Sequence, residues 1–340
     1  MLRFVRDWIR GLGLVALVCS LGTQLSAVEE YFWPTPNTAF VEGKGIERFV
    51  QPTVSGVATS GLFGCVRNDG KRFHEGLDLK PISLDRNKEP TDQVYAFSDG
   101  VVRHVSREAK LSSYGRYIVI EHTAIAPGVV SLYAHLKSIP ADVVPGEIVK
   151  GGHVIGMMGR SASYSIPRSR AHLHFEVGLW EGDDFQLWYD AQKFDSANDH
   201  GVYNGMNIIG IDVWRFWKAY KNGEVSSVLD FIRSEPVALT VEVPYAEVPE
   251  LVKGLPQDFV LGLGRGNRAG WRIGFTWYGA PVRWDALSRD ELTSRGVKVV
   301  EIDAAALGRL GCDNMVSPDG SPGSRLRSVL SRLFIKSGAY

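Results

Sequence analysis

Two short strings, His74-Glu75-Gly76-Leu77-Asp78 and His172-Leu173-His174-Phe175-Glu176, decide how this chain folds and what it binds. In a β-strand successive side chains point to opposite faces, so residues two apart share a face. Read this way, each string has an imidazole-bearing front and an apolar back. A helix would instead point His172 and His174 apart. The strings therefore predict strands that present metal-binding side chains on one face.

A third string, Tyr133-Ala134-His135-Leu136, lies between the first two and adds another imidazole. The same alternation predicts that Tyr133 and His135 share a face of a strand. A hydrolytic zinc site needs three protein ligands, one open position for water, and further groups that move protons, and the three strings supply that set. The other histidines are isolated in sequence and are interpreted as structural: His104, His122, His153 and His200.

The neighbours of the predicted ligands are interpreted by the same alternation. Gly76 has no side chain, so it is expected to leave room for a metal between His74 and Asp78. Glu75 and Glu176 are expected to point away from the metal face, as carboxylates behind the ligands or at the surface.

In order and spacing these strings resemble the lysostaphin/LytM-type zinc metallopeptidases, which cut peptide bonds in bacterial peptidoglycan. The resemblance covers residues 55–180 and includes several connecting segments: 99–102, 114–122, 132–136 and 149–156. It implies that one Zn²⁺ per chain is held by His74, Asp78 and His174. It also implies that His135 and His172 are catalytic histidines that do not bind the metal.

Zinc held by two imidazoles and a carboxylate keeps a fourth position for water and lowers the pKa of that water toward ~7. One additional imidazole is expected to stabilise the oxyanion and the other to take or return the proton. Which task belongs to His135 and which to His172 stays open. The loop 163–171 departs from the small residues usual in the family. Its two arginines, Arg168 and Arg170, either meet a substrate carboxylate or are solvated.

The function implied by the resemblance is that of a zinc-dependent endopeptidase hydrolysing peptide cross-links of bacterial peptidoglycan, with a glycine-rich bridge as the second choice of bond. Two alternatives stand beside it. One is a non-catalytic wall-binding activator of other hydrolases, since some family members lack ligands. The other is a zinc peptidase acting on secreted proteins. The complete ligand set favours an enzyme.

The first 27 residues predict export. Three arginines precede an apolar run at 11–22, which is too short for a membrane span of ~20 residues and is typical of a signal peptide cleaved after Ala27. Lipoprotein anchoring through Cys19 is disfavoured because Val18 before it is larger than such a site prefers. We expect a chain in the periplasm or cell envelope, without a stable membrane span once mature.

Composition limits the partners. The 340 residues carry 38 basic and 38 acidic side chains, so a nucleic-acid partner, which needs a basic surface, is not expected. Peptidoglycan is the expected partner, and the oligomeric state is left open. After removal of the signal peptide, Cys65 and Cys312 remain, and whether they pair in an exported protein is also open.

The predicted fold class is mainly β: a catalytic antiparallel β-sandwich or barrel-sandwich of the duplicated hybrid motif type, plus a small α+β C-terminal region. The expected divisions after the signal peptide 1–27 are a lead-in at 28–54, the zinc metallopeptidase domain at 55–180, a cleft-rim loop and helix at 181–234, and an accessory region of unknown role at 235–340. Its aromatic residues are interpreted as core, with a glycan-stacking surface as the alternative: Trp271, Trp277, Tyr278 and Trp284.

Overall fold

The computed structural model describes residues 30–308, 312 and 314–337, so the predicted signal peptide 1–27 and Cys19 lie outside the described residues. The strands are β1 Gly64–Arg67, β2 Arg72–His74, β3 Leu77–Leu79, β4 Gln93–Tyr95, β5 Gly100–Ser106, β6 Tyr117–Glu121, β7 Val129–Ala134, β8 Ile148–Val149, β9 Val154–Met157, β10 Leu173–Trp180, β11 Ile208–Gly210, β12 Leu239–Val243, β13 Val260–Leu261, β14 Arg268–Phe275, β15 Pro281–Ser288 and β16 Lys298–Ile302. The α-helices are α1 Phe185–Gln192, α2 Val213–Lys221, α3 Val228–Ser234, α4 Glu250–Gly254, α5 Ala304–Leu307 and α6 Ser324–Leu333. None of the described helices is long and apolar enough to cross a membrane.

A seven-stranded sheet organises the first half of the molecule. Its order is β11-β10-β7-β6-β5-β8, and β3 pairs with the beginning of β10. All its pairs are antiparallel. Two small two-stranded sheets, β1-β2 and β4-β9, flank it. The predicted mainly β, antiparallel fold class is confirmed.

The two faces of this sheet are buried differently. One face, which includes Tyr133 and Phe175, joins the large hydrophobic core that continues into the C-terminal region. The opposite face carries a much smaller cluster that includes Tyr117, Leu132 and Ala134. Because alternation places the side chains of neighbouring residues on opposite faces, strands β6, β7 and β11 contribute residues to both clusters.

The C-terminal region contains a second sheet, with the strand order β13-β15-β14-β12-β16. Trp271, Trp284 and Tyr278 are fully buried in it. A side chain without exposed surface has no face to offer a sugar ring, so a glycan-stacking surface built from these three residues is excluded. The interpretation of them as core residues is confirmed.

Helix α2 lies in the segment 181–234, for which the sequence predicts a loop and one helix, and it begins where the Asp212 side chain accepts a hydrogen bond from the backbone N–H of Arg215. Helix α1, in the same segment, is a further helix that the sequence analysis does not predict. Its apolar residues Phe185, Trp188 and Tyr189 do have the three- and four-residue spacing of a helix, and they are buried. The pattern that could have revealed α1 is therefore present but short.

His104 should make the fold sensitive to acid. Its ring lies against the rings of Tyr117 and His200, with centroids 4.9 and 5.8 Å away, and its Nε2 is buried without a hydrogen-bond partner among the described residues. Burial, together with the charge of His200, lowers the pKa of His104 to about 4. The unfolded chain therefore takes up this proton at higher pH than the folded chain, and stability is lost as the pH falls from ~6.5 toward ~4.

We expect His104→Phe to stabilise the protein at acidic pH, because phenylalanine keeps the ring stacking and cannot be protonated. The difference in unfolding free energy between variant and wild type should grow by up to about 1.4 kcal/mol per pH unit across this window. Urea titrations at several pH values measure it, and the contributions of other groups cancel in the difference. A difference that does not change with pH would contradict the assignment.

Candidate metal centre

Strand pairing brings two of the predicted ligands together. In the antiparallel register of β10 and β3, His174 lies directly opposite Asp78. On its other side His174 lies opposite Ala134 of β7. Directly opposed residues share a face, so Asp78 and His174 project from the face opposite the large core, as their spacing in sequence predicts.

His74 comes from a different strand than expected. Strand β2 ends at His74 and strand β3 begins at Leu77. The string from His74 to Asp78 therefore belongs to two strands, which Glu75 and Gly76 connect. A Cβ atom on Gly76 would lie 2.5 Å from the Phe175 carbonyl oxygen. The glycine therefore permits close approach of the β10 backbone, and the expected role of leaving room for a metal is not what the structure requires of it.

Three donor atoms form a nearly equilateral triangle. His74 Nε2 lies 3.0 Å from His174 Nδ1 and 3.1 Å from Asp78 Oδ1, and His174 Nδ1 lies 3.0 Å from Asp78 Oδ1. A tetrahedral zinc ion with bonds of about 2.0–2.1 Å holds its donors about 3.3 Å apart. Two imidazoles and one carboxylate of this size and spacing fit a divalent metal ion. Within the described part of the chain, this is the one such group found.

The other nitrogen of each ligand histidine is already engaged. His74 Nδ1 donates to the carbonyl oxygen of Leu62 at 2.7 Å, and His174 Nε2 donates to Glu176 Oε1 at 2.7 Å. Such bonds set the tautomer and orientation of metal-binding imidazoles. Each ring therefore presents an unprotonated nitrogen toward the centre when a metal is bound.

The electrostatics of the metal-free centre follow from its burial. Burial alone would raise the pKa of Asp78, but the charges and hydrogen bonds of the surrounding histidines hold it well below its usual value. Burial would lower the pKa of His174, but hydrogen bonds to Asp78 and Glu176 raise it to about 9. Without metal, His174 is thus protonated at neutral pH, and metal binding displaces that proton.

His172 and His135 stand beside the triangle. His172 Nδ1 donates to the Arg170 carbonyl oxygen at 2.7 Å, and its Nε2 lies 3.5 Å from Asp78 Oδ1. His135 Nδ1 donates to the Ser161 carbonyl oxygen at 2.9 Å. Burial lowers the pKa of both rings, for His135 to well below its usual value. Both rings are therefore neutral and can accept a proton at Nε2.

His135 reaches this place through a left-handed turn rather than a strand. Strand β7 ends at Ala134, and His135 has φ +62°. The prediction that Tyr133 and His135 share a face is wrong, because Tyr133 lies in the large core on the opposite face from His174. The turn directs the His135 ring to within 4.7 Å of the His172 ring, measured between centroids. Holding a non-glycine residue in this conformation costs about 1–3 kcal/mol of folding free energy. Residues strained in this way are often found at functional sites.

The position of the Glu176 side chain contradicts a second prediction. Glu176 lies two residues after His174 on β10, so strand alternation places both on the same face. The expectation that Glu176 points away from the metal face is wrong: its Oε1 accepts hydrogen bonds from His174 Nε2 and from the Tyr114 hydroxyl, each at 2.7 Å. Glu176 is 1% exposed. The other glutamate, Glu75, is exposed as expected.

Glu176→Gln should weaken metal binding. The substitution keeps the shape of the side chain but removes the negative charge that makes His174 a stronger ligand, and such changes typically lower metal affinity about 10- to 100-fold. Competition with a chelator of known zinc affinity measures the change. Tyr114→Phe is the matched control, because it removes the other hydrogen bond to Glu176 and leaves His174 untouched. Equal zinc affinity in Glu176→Gln and wild type would contradict this role.

The loop before the histidine pair places its two arginines differently. Arg168 Nε donates to Glu89 Oε1 at 2.8 Å, and Arg160 Nη2 contacts the same oxygen at 2.8 Å. Arg168 is therefore engaged in an ion pair on the rim and is not simply solvated. Arg170 contributes its backbone carbonyl to the orientation of His172.

The fold places a possible metal site of two histidines and one aspartate on an antiparallel β-sheet. Residues 72–186 match the family model described as Peptidase family M23. The match covers about a third of the chain, and the resemblance to lysostaphin/LytM-type metallopeptidases drawn from the sequence is confirmed. No match is found among the curated proteins.

Several solved structures are similar to part of this chain. A zinc-containing peptidase from Vibrio cholerae is 28% identical, over 44% of this chain and 37% of that one, with a TM-score of 0.29. The catalytic domain of lysostaphin from Staphylococcus simulans is 20% identical, over 46% of this chain and 87% of that one, with a TM-score of 0.29. The catalytic domain of the prophage-encoded M23 protein EnpA from Enterococcus faecalis is 22% identical, over 38% and 81%, with a TM-score of 0.28.

Proposed function

We propose that this chain is a zinc-dependent endopeptidase that hydrolyses peptide cross-links of bacterial peptidoglycan. The observation that carries the proposal is the triangle of His74, Asp78 and His174 donors with two further neutral histidines beside it. Three protein donors leave the fourth position of a tetrahedral zinc ion for water, which is the ligand number of a catalytic rather than a structural zinc site.

We propose one Zn²⁺ per chain, held by His74 Nε2, Asp78 Oδ1 and His174 Nδ1. When bound, zinc supplies a Lewis acid and a water of lowered pKa for attack on the peptide carbonyl. His135 and His172 would remain unligated beside this site, with their ring centroids 4.7 Å apart. One neutral imidazole would accept a proton at Nε2 from the attacking water and return that proton to the leaving amine. The other would first have to take up a proton at Nε2 before it could donate a hydrogen bond to the developing oxyanion.

We further propose that the chain works outside the cytoplasm, in the periplasm or cell envelope, after loss of residues 1–27. The Cys65–Cys312 disulfide supports this, because disulfides persist in oxidising compartments. Peptidoglycan lies in the same compartment. The proposed divisions are the lead-in 28–54, the catalytic domain 55–180, the rim 181–234 and the accessory region 235–340.

The test is digestion of purified peptidoglycan by the protein without residues 1–27, combined with measurement of its zinc content. We expect about one zinc per chain and soluble muropeptides whose masses identify the bond cut. The Asp78→Ala protein is the control for contaminating hydrolases. Zinc without cleavage of any wall peptide would overturn the proposal. Cleavage of an unfolded secreted protein but not of peptidoglycan would favour the general peptidase instead.

A further inference from the structure

One short segment, residues 62–67, holds two of the three proposed metal ligands in place. The Leu62 carbonyl accepts the hydrogen bond from His74 Nδ1 at 2.7 Å. Five residues later, Arg67 Nη2 lies 2.5 Å from Asp78 Oδ2, the carboxylate oxygen that faces away from the donor triangle. Each contact fixes the orientation of one proposed ligand through an atom that is not part of the donor triangle. Leu62 and Arg67 lie outside the residues 72–186 that match the peptidase family.

The C-terminal region is cross-linked to this segment and packs against it. Cys65 forms a disulfide with Cys312, 247 residues away in sequence. A Cβ on Gly64 would lie 2.9 Å from the ring of Trp277, and Gly64 has φ +101°, so the aromatic ring packs directly on the β1 backbone. The ring of Phe63 lies 5.2 Å from that of Tyr278, edge to face. The segment is thus cross-linked to the C-terminal region and packed against it.

We propose that Arg67 is a positioning residue for Asp78 and that the Cys65–Cys312 disulfide holds Arg67 in place, so the C-terminal region sets the metal affinity of the site. The proposal rests on the metal site of the proposed function. It gives residues 235–340 a role, which is to keep Arg67 in contact with Asp78.

The local structure explains why a cross-link is needed. Strand β1 has four residues, pairs only with β2 among the described strands, and has an irregularity in register between Cys65 and Arg67. Isolated two-stranded sheets are marginally stable in water. Without the disulfide, β1 would separate from β2 more often, and each opening would release the guanidinium from Asp78.

The position of Arg67 makes such opening consequential. The Arg67 side chain is 21% exposed and that of Asp78 4% exposed. The Nε of Arg67 is buried without a partner among the described residues. The ion pair between Arg67 Nη2 and Asp78 is therefore the main interaction that offsets the free-energy cost of burying the guanidinium. A carboxylate that loses this partner can rotate, which moves Oδ1 away from the two imidazole nitrogens. The expected consequence is weaker metal binding.

The first measurement is the zinc dissociation constant of Arg67→Ala, by competition with a chelator. We expect binding about 10- to 100-fold weaker than wild type, the range typical when a partner of a metal ligand is removed. Arg272→Ala is the matched control, because it breaks a similar pair, Arg272 Nη2 to Glu242 Oε1 at 2.7 Å, between strands of the C-terminal sheet. Wild-type zinc affinity in a folded Arg67→Ala protein would overturn the role of Arg67.

The second measurement tests the disulfide. The Cys65→Ser/Cys312→Ser protein, and wild type that has been reduced in the folded state, alkylated at both thiols and freed of reductant, should both bind zinc about 10-fold more weakly. Serine replaces cysteine so that no free thiol adds a ligand, and reduction of the folded protein gives the answer if the double variant does not fold. Unchanged affinity after reduction would overturn the role of the disulfide.

A double-mutant cycle shows whether the two act on the same carboxylate. If the disulfide acts through Arg67, then Arg67→Ala should cost less zinc affinity in the cysteine-free protein than in wild type, whereas independent effects multiply. Full multiplication would overturn the coupling. All of these measurements report zinc binding without hydrolysis. A wild-type chain that binds zinc but cleaves nothing contradicts the proposed function and leaves this inference standing, whereas a chain that binds no zinc contradicts both.

Discussion

His74→Ala should remove zinc and hydrolysis together. The substitution deletes one of three donors that lie 3.0–3.1 Å from one another, and the two remaining donors cannot complete a catalytic zinc site. We expect zinc affinity to fall by about 10³-fold or more, with activity falling in proportion at limiting metal. Zinc content of the purified protein and muropeptide release measure the two effects. Asp78→Ala should behave in the same way.

Glu75→Gln is the control for both substitutions. Glu75 follows His74 directly but is exposed, so its substitution should leave metal and activity unchanged. Asp78→Ala also leaves the Arg67 guanidinium without its partner, which is expected to destabilise the protein by about 3–5 kcal/mol. His74→Ala leaves the Arg67–Asp78 ion pair in place and is the cleaner test. A folded His74→Ala protein with a full equivalent of zinc and wild-type hydrolysis would contradict the site.

His172→Ala and His135→Ala should keep zinc and lose most activity. Both rings are neutral and hydrogen-bonded at Nδ1 to backbone carbonyls, so their Nε2 atoms are free for proton transfer. Removal of a positioned acid or base lowers the rate typically about 10²- to 10⁴-fold. The measurement is kcat for a cross-linked muropeptide, together with zinc content. The pH–rate profiles of the two variants then divide the base and oxyanion tasks between the two histidines.

At His135 a second variant is needed, because alanine at φ +62° adds backbone strain to the loss of the ring. Asparagine tolerates this conformation, so His135→Asn separates the two effects. We expect both variants to be equally inactive, since the missing proton acceptor is common to them. Loss of zinc from either would identify His135 as a ligand, and wild-type kcat in His135→Asn would show that the imidazole is not required.

The shared face of the candidate metal-binding side chains could be predicted because strand alternation is a local rule, whereas the assignment of His74, Asp78 and His174 as zinc ligands comes from the family resemblance and stays a prediction. A strand alternates its side chains strictly, so the spacing in His172-Leu173-His174 places both imidazoles on one face whatever the rest of the fold does. The same rule places Glu176 on the same face as His174. The prediction that Glu176 points away from the metal face applies the rule incorrectly. The signal for Glu176 was therefore in the sequence. The mainly β class followed from the same alternation and from the resemblance to a known family.

The alternation rule failed where the strands end. The first string was read as one strand, but β2 stops at His74 so that β10 can approach closely at Gly76. His135 was read as part of a strand, but it follows the end of β7 in a left-handed turn. In both places a tertiary contact ends the strand. Local pattern does not contain that information, because the contacting residues lie many positions away.

The sequence by itself determined the β-sheet and the candidate groups on it: two imidazoles and a carboxylate that are predicted to bind a metal, and two more imidazoles that are predicted to transfer protons. Only the tertiary structure decided what stands behind the ligands. Arg67 reaches Asp78, and Cys65 reaches Cys312, through contacts between separate segments of the chain. Such contacts depend on how whole elements pack, and no periodicity encodes them. The candidate ligands are therefore readable from the sequence, whereas the groups that orient them are readable only from the fold.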